Sequence, residues 1–524
     1  MNKKFINNKI IYKTLLIIFS FYINYYYANL GVFPIDTFAF FDTAYNILND
    51  RHPFRDIWVT TGPFVDYLQS IFFKIFGLKW QSYVIHSSFL NSLITLCFFK
   101  TLIDLDFNKF LSFIYALGFG ALCYTVSGTP FAYLHSYSFS LLSLLIFFYC
   151  VHFKSKKSYF LLPFAMCISF LSMQNPSTFI NVLIIFFLVI IFFKNENRTS
   201  LFFFLAGSLT VLTLLFLYFY IVKIPFESFF IQYFLFPLTM GEYRLSGNDM
   251  AHISLSGRLT FRNVLGHFKF LNLFLLILIF VTIKDFFKNK ISSKYLINNL
   301  SIFFVGILLI FNQLLTSNQT YIFSLIPFVA AFLHNYLDKR DKKNKKFTLF
   351  LTLLMIFCVL KYHFTYNEQR KFMDLQNVNL NKAVSGSYID PKLKGLKWIT
   401  PKYPNDPSKE ISFLKETIEI IKKDNRAKLV MTDYQFLSIL TEKNLNISNR
   451  WYTHDNNSYP LDNHKYFYFY KDHINKIIDD EKISVVYTVG DPDFSDFKIY
   501  FNNLCYNSVR VNDLTTINTL VDCK

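Results

Sequence analysis

Residues 33–77 read FPIDTFAFFDTAYNILNDRHPFRDIWVTTGPFVDYLQSIFFKIFG and follow the first apolar run of the chain. This stretch is dense in acidic, basic and aromatic residues. Within it, residues 38–48 and 64–76 are apolar with helical spacing, but they are too short to cross a bilayer. Gly62, which precedes a proline, favours the start of the second helix, and Gly77 favours its end. We therefore predict one loop with two helices that lie in the membrane interface.

The composition around this loop indicates a polytopic α-helical membrane protein. Of the 524 residues, 53% are hydrophobic and 17% are charged, whereas soluble proteins carry about 25% charged residues. Apolar runs near the length of about 20 residues that crosses a bilayer recur along most of the chain. They predict eleven spans, near residues 10–30, 81–103, 109–127, 132–152, 158–173, 177–193, 200–222, 264–284, 295–315, 319–336 and 346–364.

Basic residues are concentrated in alternate links between these spans. Lys and Arg occur near residues 154–157, 194–198, 284–294 and 339–346, whereas the links near 128–131, 174–176 and 316–318 have none. Basic loops stay cytoplasmic, so we predict a cytoplasmic N-terminus and an extracytoplasmic C-terminus. The net charge of +18 is then a consequence of topology, and we expect no nucleic-acid partner.

The composition changes near residue 366, where charged residues and Asn become frequent and apolar runs become short. Residues 1–365 are therefore predicted to form a transmembrane domain, and residues 366–524 a soluble extracytoplasmic α/β domain. Within the latter, the pattern predicts a helix near 409–425, a strand, turn and helix near 427–440, and a helix followed by a buried strand near 470–491.

Two long outer loops are expected, at residues 31–80 and 223–263. Residues 224–241 are apolar, but they contain two prolines and a carboxylate, so we interpret them as an outer-face segment rather than a further span. In the C-terminal domain, Cys505 and Cys523 leave two alternatives, a disulfide or two free thiols.

Two aspartates of the first loop are candidate catalytic residues. A carboxylate just beyond a membrane span can act as a general base on an acceptor delivered at the bilayer surface. Asp36 and Asp42 both fit this position, and Asp36 ranks first. The alternative for either residue is a solvated or helix-capping carboxylate.

Four cations and one further acid are candidate substrate-binding residues. Arg51 and Arg55, with Asp56 beside them, follow the break between the two loop helices, and two arginines near an interface can bind a phosphate. The alternative is headgroup anchoring or a local ion pair. The second outer loop adds Arg244 and Arg258, which lie in a polar stretch of sequence. This stretch is either a mobile lid or an ordinary connecting loop.

The sequence has none of the common motifs for nucleotide binding, serine hydrolysis or zinc-dependent proteolysis. It contains no P-loop, no G-x-G-x-x-G unit, no G-x-S-x-G elbow and no H-E-x-x-H motif. No Cys/His cluster has metal-ligand spacing. Few acids occur inside the predicted spans, and this disfavours a coupled transporter.

The first loop resembles that of the GT-C superfamily of membrane glycosyltransferases, and within it the branch of protein O-mannosyltransferases and the lipid A aminoarabinose transferase. The similarity consists of Asp36 after the first span, a helix ending in Ile47-Leu48, the Thr61-Gly62-Pro63 turn and an apolar helix ending in Phe76-Gly77. Thr37 stands where relatives often have Glu.

This resemblance implies transfer of a sugar from a polyprenyl-phosphate-linked donor to a lipid, glycan or protein acceptor, at the extracytoplasmic face of the cell (inner) membrane. It implies Asp36 as the base, Asp42 as the reserve, basic residues on the phosphate, and membrane lipids and the donor as partners. Some relatives use a divalent cation; we predict no metal and no cofactor here. A polysaccharide polymerase or ligase and a lipid-linked oligosaccharide flippase are the alternatives.

Overall fold

The chain forms a helical membrane part followed by a smaller region that contains a sheet. The computed structural model describes residues 3–195, 198–246, 254–316, 321–340, 345–502 and 504–523. The α-helices cover Lys3–Ala28, Pro34–Thr37, Phe41–Leu48, Pro63–Phe76, Trp80–Asp104, Lys109–Leu122, Ala132–Phe153, Lys156–Ser172, Gln174–Asn195, Arg198–Val222, Phe226–Phe230, Phe236–Ser246, Leu255–Arg258, Lys269–Phe287, Ser293–Leu315, Leu325–Arg340, Lys345–Tyr362, Pro407–Lys423, Leu437–Thr441, Phe467–Asp480 and Phe494–Phe497. Short π-helical turns cover Ile231–Leu235, Arg262–His267 and His363–Glu368, and 3₁₀ turns cover Lys371–Met373, Leu380–Lys382, Gly386–Tyr388, Pro391–Leu393 and Lys498–Tyr500.

Seven helices within the described ranges are long and apolar enough to cross a membrane. They are Trp80–Asp104, Ala132–Phe153, Gln174–Phe193, Arg198–Val222, Lys269–Phe287, Ser293–Leu315 and the continuous stretch Lys345–Met373. The protein is thus a helical membrane protein, and each of these seven coincides with a predicted span.

The other four predicted spans also coincide with helices, but these are shorter or less apolar. Lys109–Leu122, Lys156–Ser172 and Leu325–Arg340 have 14, 17 and 16 residues, fewer than the about 20 that a straight span needs. Lys3–Ala28 is long enough but less apolar, with lysines, asparagines and tyrosines along it. Residues 319 and 320 of the tenth predicted span lie outside the described residues. Eleven crossings therefore stay a prediction.

Polar hydrogen bonds join the first helix to its neighbours. The Asn24 side-chain amide donates to Ser87 Oγ at 3.2 Å, to Ser88 Oγ at 3.1 Å and to the Gly128 carbonyl at 3.0 Å. A Cβ on Gly128 would lie 2.6 Å from Cα of Ala28, so only glycine permits this approach. Interhelical hydrogen bonds and small residues are the usual means of close helix packing in lipid.

The first loop contains the helices that the sequence predicts, as Phe41–Leu48 and Pro63–Phe76. Gly62 caps the second helix with φ of 72°, a left-handed conformation, and the proline at the first helical position has its φ already set for a helix. Gly77 ends it with φ of 88°. One face of the second helix is exposed, including Ile71 and Ile75, as an interface helix requires.

The second outer loop packs against the first instead of adding a candidate span. Gln232, in the π-helical turn, accepts a hydrogen bond from the Val59 amide at 2.9 Å and donates to the Phe54 carbonyl at 3.1 Å. Phe236 packs edge-on against Trp58, with ring centroids 5.7 Å apart. Residues 247–253 of this loop lie outside the described part of the chain.

The C-terminal region contains a four-stranded sheet. In chain order its strands are β1 (Val384–Ser385), β2 (Lys397–Trp398), β3 (Lys428–Thr432), β4 (Val485–Val489), β5 (Leu504–Arg510) and β6 (Thr515–Asp522); β1 and β2 form a separate antiparallel pair. The sheet order is β3-β4-β6-β5, with β3 and β4 parallel and the other pairs antiparallel.

The structure confirms the elements that the sequence pattern predicts here. They are helices Pro407–Lys423 and Phe467–Asp480 and the parallel strands β3 and β4. Cys505 and Cys523 form a disulfide.

The first loop and the C-terminal region share one hydrophobic core. Phe38 lies against Phe436, with ring centroids 4.7 Å apart, and stacks on Trp398 at 6.1 Å. Trp58 packs edge-on against Tyr470 at 4.9 Å. The sheet-containing region therefore holds the first loop in place.

Candidate active site

A cavity of about 280 Å³ lies where the first loop, the second loop and the C-terminal region meet. We call it the Asp36 cavity. Asp36, Thr60 and Thr61 line it from the first loop, Arg244 lines it from the second, and Trp451 lines it from the C-terminal region. It thus joins Asp36, ranked first as the base, with Arg244, one of the predicted substrate-binding arginines.

A short helix, Pro34–Thr37, presents Asp36 to this cavity. Thr37 Oγ1 accepts a hydrogen bond from the Phe33 amide at 2.9 Å, so the threonine caps this turn. Trp451 Nε1 donates to the Ile35 carbonyl at 3.0 Å and fixes the turn to the C-terminal region. Asp36 itself is not used as a cap.

The Asp36 carboxylate is half-buried. Burial raises its pKa to about 7, and the negative charge of the nearby, exposed Asp374 acts in the same direction. Among the residues that the structure describes, none donates a hydrogen bond to this carboxylate. A carboxyl group with a pKa near neutrality is suited to accepting a proton at physiological pH.

Arg244 and Arg258 lie close together but have different surroundings. Arg258 is 5% exposed and donates to the carbonyls of Leu314, at 3.2 Å, and Leu315. It also donates to the Arg244 carbonyl at 2.5 Å. Arg258 thus fixes the backbone that carries Arg244, and Arg244 reaches the cavity.

Asp42 lies apart from the cavity and is fully buried. Its carboxylate accepts hydrogen bonds from the backbone amides of Ser438, at 2.9 Å, and Ile439, at 3.1 Å. These amides belong to the first turn of the Leu437–Thr441 helix, whose N–H groups have no partner within the helix. Asp42 therefore caps a helix of the C-terminal region.

Arg51, Arg55 and Asp56 also lie away from the Asp36 cavity. Arg51 pairs with Glu481 at 3.3 Å and donates to Asn446, so it attaches the loop to the C-terminal region. Arg55 pairs with Asp56 at 2.9 Å and donates to the Val222 carbonyl at 2.8 Å. The pair of Arg55 with Asp56 is the local ion pair that the sequence left open. The partner of Arg51 lies instead in the C-terminal region.

A second, apolar cavity of about 430 Å³ lies beside the start of helix Pro63–Phe76. Its walls come from that helix and from helices Lys156–Ser172 and Arg198–Val222. Two of its lining residues, Tyr67 and Tyr218, are hydrogen-bonded to each other, and Tyr67 also reaches Nδ1 of His52 at 2.7 Å. Hydroxyl groups thus stand at the wall of an otherwise apolar space.

The two cavities border the same turn of the first loop. Thr60 and Thr61 line the Asp36 cavity, and the next residues after Gly62 line the apolar one. Gln174 holds this turn by donating to the carbonyls of Thr60 and Tyr233, both at 2.8 Å.

Sequence reasoning missed the buried ion pair that supports the turn. Arg450 is 1% exposed and contacts Asp66, which is fully buried. Arg450 also donates to the Thr61 carbonyl and lies over the Phe40 ring, 4.3 Å from its centroid. An acid inside an amphipathic helix and an arginine in a polar tail give no local signal of this contact.

Within the described ranges, no group of three or more His, Cys, Asp or Glu residues is arranged to hold a metal ion. The Asp36 cavity contains a carboxylate, an arginine and several hydroxyl groups. A comparison of the sequence with models of known protein families found no match, and a comparison with curated proteins found none either.

Proposed function

We propose that the protein is a glycosyltransferase that transfers a sugar from a polyprenyl-phosphate-linked donor to an acceptor hydroxyl or amine. The observation that supports this most directly is the Asp36 cavity. It combines a carboxylate with a pKa of about 7 and an arginine, and it lies beside an apolar cavity in a membrane protein.

The two cavities suit the two halves of such a donor. The apolar cavity, walled by helices that reach the membrane, would accept the first isoprene units of the lipid. The sugar and phosphate would then occupy the Asp36 cavity, where Arg244 can bind phosphate oxygens through its guanidinium. This assigns Arg244 to the donor phosphate.

The chemical step needs one base and one stabilised leaving group. The acceptor oxygen or nitrogen forms a bond to the anomeric carbon, and the bond from that carbon to the phosphate oxygen breaks. The acceptor proton passes to Asp36, and polyprenyl phosphate leaves with its negative charge facing Arg244. Attack opposite the leaving group inverts the anomeric configuration.

In our proposal this site lies at the extracytoplasmic face, which the alternation of basic and uncharged links between spans supports. The C-terminal region contributes to the same cavity, so it lies on the same side, where a Cys505–Cys523 disulfide persists. A reporter fused after the C-terminus tests this. An extracytoplasmic signal is expected, and a cytoplasmic signal would contradict the topology.

Substitution of Asp36 tests the proposed activity. Asp36→Asn keeps the size of the side chain but cannot accept the proton, so transfer should fall by about 10² to 10⁴-fold. The assay compares glycolipids and surface glycans by mass spectrometry in cells lacking the protein and complemented with each variant. Asp513→Asn, at a half-exposed carboxylate of the turn between β5 and β6 that lines neither the Asp36 cavity nor the apolar cavity, is the matched control and should restore the product. Full transfer by Asp36→Asn would remove Asp36 from the mechanism.

A further inference from the structure

The C-terminal region has a crevice of about 440 Å³ that the proposed reaction does not use. It lies at the carboxyl ends of the parallel strands β3 and β4. Asp433 directly follows β3, and Gly490 directly follows β4. Ligands of α/β sheets bind outside the carboxyl ends of parallel strands, and the volume is within the range of small-ligand sites, about 300–1,000 Å³.

Asp433 forms the floor of this crevice and is nearly buried, with 9% of its surface exposed. One carboxylate oxygen accepts the Asp491 amide at 2.9 Å; the other makes no hydrogen bond with any described residue. Gly490 passes so close that a Cβ there would lie 2.9 Å from Asp433, and its φ is +103°. The chain thus bends tightly around the carboxylate oxygen that accepts the Asp491 amide. The second oxygen of Asp433 remains for a ligand.

The rim carries further acids. Asp491, Asp493 and Asp496 line the crevice and are exposed. Lys402 lines it as well and pairs with Asp491 at 2.6 Å, so the acids outnumber the cations. This charge disfavours phosphate-bearing and carboxylate-bearing ligands, whereas carboxylates accept hydrogen bonds well from the neighbouring hydroxyl groups of a sugar.

The crevice adjoins the Asp36 cavity. Ile35 and Thr453 line both spaces, and Ile35 directly precedes Asp36 in the short helix Pro34–Thr37. Ile35 and Thr453 therefore form a wall that the two spaces share, and a linear molecule bound in the crevice lies next to the cavity that contains Asp36.

We propose that this crevice binds the neutral glycan portion of the acceptor and directs its terminal hydroxyl toward Asp36. The role of the bound glycan as an acceptor rests on the proposed function. The binding of a neutral glycan in the crevice is independent of that function. Asp433, Asp493 and Asp496 accept hydrogen bonds from the hydroxyl groups of the sugar. The negative charge of the rim repels anionic lipids and the donor phosphate. Donor and acceptor thereby approach Asp36 from different sides.

Direct binding tests the proposal. The full-length protein is placed in lipid nanodiscs, because glycoside detergents would compete for the site. Saturation-transfer NMR then measures binding of neutral trisaccharides of glucose, galactose, mannose and N-acetylglucosamine, with trilysine and trigalacturonate as cationic and anionic probes. At least one neutral trisaccharide should bind more tightly than both charged probes.

Variants locate the binding. The double substitution Asp493→Asn with Asp496→Asn keeps side-chain size and removes two charged acceptors, so neutral trisaccharide binding should weaken about tenfold or more. Asp513→Asn should bind as the wild type does. Asp36→Asn should keep trisaccharide binding and lose transfer. The two measurements therefore distinguish an error in the proposed glycan binding from an error in the proposed reaction.

Three results would overturn the proposal: no neutral trisaccharide binds; binding is unchanged in the double variant; or trilysine binds through the crevice in preference to sugars. The last result would make it a site for a basic peptide. Trisaccharide binding together with full activity of Asp36→Asn would uphold the crevice and refute the role of Asp36.

Discussion

Asp36 and Asp42 show how two carboxylates of one loop acquire different tasks. Burial raises the pKa of each to about 7. The carboxylate of Asp42 accepts two backbone amides, and these amides hold it in one orientation. The carboxylate of Asp36 faces a cavity that also contains Arg244. Of these two carboxylates, Asp36 is the one that lines the cavity.

Transfer should depend on the ionisation of Asp36. A base must be deprotonated, so with a pKa of about 7 kcat/KM should level off above that pH and fall about tenfold per unit below it. Asp374→Asn removes a neighbouring negative charge, which lowers the pKa of Asp36 and moves this acid limb to lower pH. The pH–rate profiles of both proteins check this. An acid limb that stays at the same pH in the variant would contradict it.

Replacing Asp42 should reduce stability rather than chemistry. Asp42→Ala leaves the amides of Ser438 and Ile439 without their acceptor, and each buried unsatisfied group costs about 1–3 kcal/mol. Thermal unfolding should occur at lower temperature than in Asp513→Ala, whose carboxylate is half-exposed. Transfer per folded molecule should be retained. Lost transfer with unchanged stability would instead place Asp42 in catalysis.

At the scale of elements, the turn from Thr60 to Phe64 is shared by both cavities. Gly62 allows its left-handed backbone, the Gln174 side chain holds one end, and Arg450 holds the Thr61 carbonyl. The turn is therefore fixed from the membrane side and from the C-terminal side at once. Under the proposed function, its rigidity would keep the lipid and the sugar phosphate of the donor in a fixed relative position.

Gly62→Ala should be more damaging than Gly77→Ala. Both glycines have positive φ, so alanine is strained at either position. The cost is about 1–2 kcal/mol in the left-handed helical conformation of Gly62 and about 1–3 kcal/mol in the extended conformation of Gly77, whose ψ is 164°. At Gly62 the added Cβ would also lie 2.6 Å from the Phe40 ring, whereas at Gly77 nothing lies within 4 Å. Thermal unfolding and the transfer assay compare the two variants. A loss of stability in Gly77→Ala that equals or exceeds the loss in Gly62→Ala would contradict this prediction.

The secondary structure of these elements could be predicted because its causes are local. Residues 428–432 and 485–489 are short runs of mostly β-branched or apolar residues, and both form strands with every residue buried. Helix Pro63–Phe76 follows from Gly62 and the proline after it. The sequence did not show where these elements pack, because packing joins residues far apart in the chain.

At the scale of the whole molecule, the C-terminal region and the first loop are joined by one hydrophobic core. Phe38 and Phe436 share a core, and Arg450 pairs with Asp66 across 384 positions of sequence. The position of Asp36 beyond the first span was sufficient to propose it as a base. Arg450 escaped detection because nothing within its own neighbourhood distinguishes a buried arginine from a solvated one.

The Arg450–Asp66 pair predicts strong coupling between two distant substitutions. Arg450→Leu leaves a buried carboxylate without its cation, and breaking a buried pair costs about 3–5 kcal/mol. Adding Asp66→Asn removes the stranded charge, so the double variant should recover part of the loss. Denaturant unfolding of both single variants and the double variant measures the coupling. Additive losses would mean that the two side chains do not interact.

The separation between Asp66 and Arg450 also sets an order of events during synthesis. At about 5–20 residues per second, the ribosome needs roughly 20–80 s to make the 384 residues between these two partners. The first loop is made early and must wait for the segment that completes its core. During that interval its aromatic residues need the lipid surface or a chaperone as a temporary partner. A polypeptide that stops before the sheet would contain Asp36 but would lack the wall that positions it.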